Sequence, residues 1–199
     1  MKRRAKAIGI AGPSCSGKTT LAHHLAGSLD GRAHVLSLDA YYHDRSGIPE
    51  HDINVDVPEA IESELLIAQL RELITGNPIE QPVYDYKTHS RAPRGVLVEP
   101  TEHIIVEGLF VLYWEELRAL LNLSVFIDTD HDTCLARRIH RDTRERGRTR
   151  ESVIQTYEKK VRPMYDAHVH PTRGYAGLLL NGNDPAPEMA ARIASQMSR

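Results

Sequence analysis

Apolar positions along this chain gather into short runs of strand length. Between them lie longer stretches whose apolar residues return every three or four positions. Ala7-Ile8-Gly9-Ile10-Ala11 is such a run ahead of a glycine and predicts a buried strand, and His34-Val35-Leu36-Ser37-Leu38 predicts a second. Between them Leu21 and Leu25, spaced by four, predict a helix from about Lys18 to Ser28. Asp56-Val57-Pro58 reads as a helix start, an N-cap acid with proline at the second helical position. Ile61, Leu65, Leu66, Leu70 and Leu73 follow at helical spacing, and Gly76 ends that helix. His103-Ile104-Ile105-Val106-Glu107-Gly108 and Ser124-Val125-Phe126-Ile127-Asp128 are two further strand-length runs. Tyr113 to Leu121 and about Asp132 to Glu145 carry helical patterns. Another helix starts near Arg150 and passes Val153, Tyr157 and Val161 before Pro163 kinks or ends it. Gly177 to Leu180 reads as a last strand and Pro187 to Met197 as a last helix.

Strands alternating with helices predict an α/β fold, a parallel sheet covered on both faces. Ile79 to Pro100 breaks the alternation. It is a polar hairpin or loop carrying Tyr84, Tyr86 and His89, the kind of surplus structure in which substrate specificity resides.

Composition narrows the classes. With 199 residues, 41% hydrophobic and 26% charged, the chain suits one compact domain spanning 1–199. A formal net charge of -2 argues against a broad nucleic-acid surface, and no apolar run approaches the length of a bilayer span. The basic start Met1-Lys2-Arg3-Arg4-Ala5-Lys6 runs into a short strand with no cleavage site, unlike a signal peptide. Cys15 and Cys134 form neither a disulfide framework nor a zinc pattern, so a reducing cytoplasm is the default expectation. His168 and His170 alternate without a third ligand at plausible spacing.

Gly12-Pro13-Ser14-Cys15-Ser16-Gly17-Lys18-Thr19 matches the phosphate-binding pattern G-x-x-x-x-G-K-[ST]. Its glycines let backbone N–H groups turn around an anion, and the helix N-terminus behind it adds about half a positive charge. Lys18 reaches the outer phosphates and the Thr19 hydroxyl ligates magnesium. The expected nucleotide contacts are Gly12, Ser14, Cys15, Ser16, Gly17, Lys18, Thr19 and Thr20, with Cys15 a small filler rather than a nucleophile. Glu107 ends an apolar strand, where a carboxylate either joins Thr19 on magnesium or caps the next turn; the strand, acid and glycine together favour the metal.

Such a loop serves switches, motors and kinases. The chain has no N-K-x-D segment to read guanine and no L-S-G-G-Q segment. A kinase needs an acceptor pocket, a carboxylate by the acceptor hydroxyl and mobile cations over the transferring group. Seven arginines crowd into Arg137–Arg150, "RRIHRDTRERGRTR". With Leu135 and Ile139 inward, Arg138 and Arg141 fall to one side of the stripe, and Arg146 and Arg148 flank a hinge at Gly147. One reading is an arginine lid, 137–170, closing over the donor. The other is a solvated face paired with Asp142, Glu145 and Glu151. Asp39, in "SLDAYYHD", follows a strand and is either the proton acceptor or the cap of a turn, with Asp44 a second candidate.

These residues resemble the uridine kinase (uridine–cytidine kinase) branch of the phosphoribulokinase/uridine kinase group of P-loop enzymes, from about Ile8 to Gly182. The segments that carry the likeness are "GPSCSGKTT", "SLDAYY", "PVYDYKTHSR", "IIVEGLFVL", "VFIDTDHDTCLARRIHRDTRERGRT", "VRPMYDAHVHPT" and "YAGLLL". The resemblance implies five parallel strands, ATP or GTP as donor with Mg2+, and transfer to a nucleoside 5′-hydroxyl. It matches Asp39 to the acid that takes the hydroxyl proton, with Tyr42 against the nucleoside, and Asp56 to the acid on the ribose hydroxyls. Tyr84, Tyr86 and His89 match residues of the base-binding hairpin. Arg138 matches a substrate-side arginine, Arg141 and Arg146 phosphate-binding arginines of the lid, and Arg148 a lid residue close to the base. It also implies a homo-oligomer, a tetramer. The chain departs from the group at Val55 and Val57, where an aromatic and a histidine are usual, and at Thr156, where the group has glutamine. Those changes keep a second acceptor class, such as nicotinamide riboside, pantothenate or a sugar phosphate, beside uridine and cytidine. A nucleotide-binding regulator without transfer is the remaining rival.

Overall fold

The structure, a computed structural model, describes residues 4–49 and 53–197. The basic start at Met1, Lys2 and Arg3 lies outside the described residues, as does part of the stretch between Asp39 and Asn54. In chain order the strands are β1 (Lys6–Ala11), β2 (Ala33–Ser37), β3 (Ile79–Gln81), β4 (Tyr84–Asp85), β5 (Ser90–Arg91), β6 (Val96–Val98), β7 (His103–Glu107), β8 (Leu123–Asp128) and β9 (Leu178–Asn181). The helices are α1 (Lys18–Ser28), α2 (Ser63–Thr75), α3 (Glu115–Arg118), α4 (His131–Glu145), α5 (Arg150–Thr156), α6 (Arg162–Met164) and α7 (Ala186–Met197). Five strands, ordered β2-β7-β1-β8-β9, make one parallel sheet, and β3–β6 and β4–β5 are two antiparallel pairs within the 79–100 hairpin.

Successive strand residues point to opposite faces, and both faces here are apolar. Ile8, Ile10, Ile105, Val125 and Ile127 pack against Leu21, Leu25, Met189 and Ile193 of α1 and α7. Ala7, Ala11, Leu36, Ile104, Val106 and Phe126 pack on the other side with Leu66, Leu70 and Leu73 of α2. Exposed His23 and His24 lie on the outer face of α1, as its spacing predicts. In register, Ile10 and Ser37 both stand opposite Glu107. The ends of β1, β2 and β7 are therefore level, which brings the phosphate loop, Asp39 and Glu107 to one edge.

Four local expectations change. The helix expected from Asp56 begins instead at Ser63. Pro58–Ala60 makes only a 3-10 turn capped by the Val57 backbone, and Ile61 is extended because it bridges Tyr42. Proline suits the start of a tight turn as well as that of a helix, and the strand-like contact at Ile61 decides between them. Of the Tyr113–Leu121 pattern, only Glu115–Arg118 is α-helical. On α4 the fully buried seam is Cys134, Arg138 and Asp142, while Leu135 and Ile139 are only partly covered. An apolar count missed that seam because it faces a charged cleft, where ion pairs replace oil. Finally, the chain does not end its helix at Pro163. It stays helical from Arg150 to Tyr175 through two wide turns, Tyr157–Val161 and Tyr165–Val169, on either side of α6. Wide turns of this kind absorb the missing proline N–H and the bulk of its ring.

Candidate active site

A cleft of about 560 Å³ opens at the C-terminal edge of the sheet. Ser14, Cys15, Ser16, Gly17, Lys18, Thr19 and Thr20 form one wall. Gly12 stands behind them with φ 149°, and a Cβ there would lie 2.7 Å from the Ile127 carbonyl oxygen, so only glycine lets the loop start so close to β8. The Ser16 hydroxyl is buried and has no hydrogen-bond partner among the described residues, an orphan that a phosphate oxygen would satisfy. Lys18 is 8% exposed and its Nζ donates to the Pro13 carbonyl at 2.8 Å. Burial lowers its pKa, opposed chiefly by the charges of Glu107 and Asp39. These features fit a polyphosphate.

One hydroxyl ties the two acids together. Ser37 Oγ donates to Glu107 Oε1 at 2.5 Å and accepts the Asp39 backbone N–H at 3.4 Å, because β2 ends beside β7 and the chain turns there. Thr19 Oγ1 donates to Glu107 Oε2 at 3.3 Å. Burial raises the Glu107 pKa and Asp39 adds to the rise, while Ser37, Lys18 and Thr19 oppose it. A hydroxyl and a carboxylate of this kind are oxygen ligands suited to Mg2+. Among the described residues, no group of three or more His, Cys, Asp or Glu residues that would hold a metal by itself occurs, so a cation at Thr19 and Glu107 would complete its shell with water and phosphate oxygens.

Opposite the loop the wall is Tyr42, Val55, Asp56 and Tyr86. Burial raises the Tyr86 pKa well above the phenol range, and the neighbouring Tyr42 and Asp39 add to the rise. Burial also raises the Asp56 pKa; Arg138, Arg141 and Arg146 pull it back, and the Asp39 charge pushes it further up. Tyr42, Tyr84 and Tyr86 form a ring trio with centroids 5.2–5.7 Å apart. Tyr84 and His89, however, stand behind the wall rather than on it: Tyr84 packs on Tyr42 and its hydroxyl meets His89 Nδ1 at 3.4 Å. The hairpin is held to the turn by Arg91, which sequence reasoning missed. Its Nε donates to the Tyr42 carbonyl at 2.7 Å, Nη2 to the Tyr41 carbonyl at 2.8 Å, and Nη1 to Glu62. Asp44 is turned away on the surface, where Ser46 and the Arg91 backbone N–H hold its carboxyl down to about 2.

The arginine run turns toward the cleft and is ion-paired at the same time. Arg137, Arg138, Arg141 and Arg146 line the cleft, and the last three converge on Asp142. That aspartate is fully buried, so the pairing is not a solvated face, and Glu145 and Glu151 are not the anchors. Arg148 stands apart: its Nη2 donates to Ser152 at 3.1 Å and Thr156 at 2.7 Å, hydroxyls one and two turns along the next helix. Thr156, the departure from glutamine, thus holds that arginine. Cys134 is a buried thiol pushed up to about 12, inert as a nucleophile.

Comparison with known proteins agrees with this geometry. Residues 7–183 match the model of the phosphoribulokinase / uridine kinase family. The chain is similar to the uridine kinase of Lactobacillus helveticus, 43% identical over 190 residues that cover 92% of this chain and 90% of the relative. It is 44% identical to the uridine kinase of Deinococcus deserti over 94% of both chains. A possible uridine kinase from Bacillus stearothermophilus shares the fold, with a TM-score of 0.67 at 20% identity over 91% of each chain. Phosphoribulokinase from Rhodobacter spheroides does so with a TM-score of 0.63 at 17% identity, over 93% of this chain and 75% of its own. A chain whose residues 7–183 match the family model, and which aligns with such relatives over about nine-tenths of its length, belongs to the phosphoribulokinase/uridine kinase family of kinases.

Proposed function

We propose that the protein transfers the terminal phosphoryl group of ATP or GTP to the 5′-hydroxyl of uridine or cytidine, giving UMP or CMP for pyrimidine salvage. The observation that carries this reading is the position of Asp39. It lines one cleft with Lys18 of the phosphate loop and with Tyr42, Asp56 and Tyr86 of the aromatic wall, so one carboxylate faces donor and acceptor together. The curated relatives that bear the name uridine kinase support the choice of nucleoside.

In this scheme Asp39 accepts the proton of the attacking hydroxyl. Asp56, with two acceptor oxygens, holds the ribose diol. Tyr42 and Tyr86 receive the base, with Tyr84 and His89 buttressing them. Gly12, Ser16, Gly17 and Lys18 cradle the donor, while Arg138, Arg141 and Arg146 cover the transferring group. Thr19 and Glu107 would hold Mg2+, which when bound neutralises charge on the donor phosphates. Among the described residues no helix is long and apolar enough to cross a membrane, which accords with a cytoplasmic enzyme.

The test is a panel of uridine, cytidine, nicotinamide riboside, pantothenate and sugar phosphates with ATP or GTP and magnesium, scored by phosphorylated product. Uridine and cytidine are expected to give the 5′-monophosphates. Product from another acceptor alone would overturn the nucleoside assignment, and donor binding without any product would overturn the transferase reading.

A further inference from the structure

We propose that Asp142 is a positioning residue for the reaction: it grips the three cleft-facing arginines by their inner edges and so aims their outer nitrogens at the phosphates before the donor arrives. The proposal rests on reading the cleft as a phosphoryl-transfer site. All three guanidiniums approach the carboxylate through Nε, Arg138 at 3.5 Å, Arg141 at 2.8 Å and Arg146 at 3.6 Å. A guanidinium is a flat fork of five donors, so holding the Nε edge fixes its plane and leaves the Nη ends outward. The consequence is visible at Arg138, whose Nη1 donates to Ser14 Oγ of the phosphate loop at 2.9 Å. At the other end, the Arg146 guanidinium lies 5.4 Å from the centre of the Tyr86 ring on the acceptor wall.

A role in stability alone explains the arrangement poorly. Asp142 is fully buried near the C-terminal end of α4, where the helix dipole already presents negative charge. A buried ion network there is commonly no more stabilising than apolar packing of the same shape. Its main chain serves the same purpose as its side chain. The Asp142 carbonyl accepts the Arg146 N–H at 3.2 Å and the Arg148 N–H at 3.1 Å, closing α4 against Gly147, which turns at φ 64°. The three grips also differ. Arg141 makes a hydrogen bond, whereas Arg138 Nε and Asp142 Oδ2 face each other at 3.5 Å, and neither has a hydrogen-bond partner among the described residues. Arg141 is held to Asp142 by a hydrogen bond, Arg138 by charge and by its bond to Ser14 Oγ, and Arg146 by charge.

The experiment is a double-mutant cycle on kcat with uridine and ATP–magnesium. Asp142→Asn keeps the shape and removes the charge; Arg141→Lys keeps the charge and removes the edge that is gripped. Each is expected to lower kcat by about 10- to 100-fold with uridine KM within about twofold, since misplacing cations around the transferring group affects the chemical step. Because Asp142 acts through Arg141, the double variant should be no slower than the slower single variant. Multiplying losses, or wild-type kcat in Asp142→Asn, would overturn the proposal. If Asp142→Asn does not fold, Arg141→Lys and Arg146→Lys complete the cycle with Asp142 intact: a shared grip gives non-additive losses, and independent roles multiply. The cycle is read on whichever acceptor the wild type uses, or on hydrolysis by water if it uses none. Failure of the uridine assignment therefore shows in the wild type and failure of the Asp142 assignment in the variants.

Discussion

At the scale of single residues, a strand-end acid acquires its meaning from what stands within reach. Asp39 lies two residues past β2, in a turn that Ser37 caps, so turn geometry and chemistry coexist there. Asp39→Asn is expected to keep ATP affinity, read by calorimetry, while kcat falls by about 10²- to 10⁴-fold, the range of a lost general base. Wild-type turnover in that variant would remove Asp39 from the base role. Glu107 makes a different prediction. Burial holds its folded pKa above the ordinary carboxylate value of 4.5, so the folded state favours the protonated form. Its contribution to stability is complete below that value and is lost as pH rises through the raised folded value. Glu107→Gln has no such charge to bury. Without ligands it is expected to melt above the wild type at pH 8, with the gap closing as the buffer is acidified, although its turnover is lost. A gap independent of pH, followed by calorimetry or circular dichroism, would contradict this.

At the scale of elements, the sequence made the repeating parts legible and left the joints obscure. The phosphate loop, the five sheet strands, α1 and α7 follow from apolar runs, a glycine-rich motif and spacing, all of them local signals. The start of α2 was misread because the residue that moves it, Tyr42, lies nineteen positions from its partner Ile61. Asp142 was visible only as a possible surface partner, since nothing in a list of charges says which one is buried. Arg91 was hidden for the same reason: it acts on main-chain carbonyls, which every sequence has. Its clamp joins the hairpin to the turn that bears Asp39, beside the Tyr84–Tyr42 ring contact. Arg91→Ala is therefore expected to raise uridine KM by about tenfold or more and leave ATP KM unchanged. Lysine should not rescue it, because one ammonium cannot span three acceptors laid out for a planar fork. Equal loss for both substrates in steady-state kinetics would place the clamp's effect elsewhere.

At the scale of the whole molecule, a net charge of -2 conceals a local gathering of cations. Four arginines and a lysine line the cleft, and burial raises the pKa of two of the acids among them, Asp56 and Glu107. Cations gathered on the phosphate-loop side of a cleft attract polyanions, and salt weakens that attraction with a screening length near 10 Å at 0.1 M. Raising potassium chloride from 50 to 500 mM shortens that length about threefold and should raise ATP KM several-fold while barely moving uridine KM. A parallel rise in both would mean that the field does not distinguish donor from acceptor.

The Arg91 clamp has a consequence for how such an enzyme changes over time. It binds Tyr41 and Tyr42 through their carbonyl oxygens, groups that survive any substitution of those side chains. The acceptor wall is therefore a replaceable panel on a fixed frame. Mutations at positions 42, 55 and 86 alter what the wall admits, while the hairpin and the turn bearing Asp39 keep their alignment. Lineages can exchange acceptors by small steps without first losing the transfer chemistry, and a designer who wants a new nucleoside analogue phosphorylated should vary the panel and leave Arg91 alone.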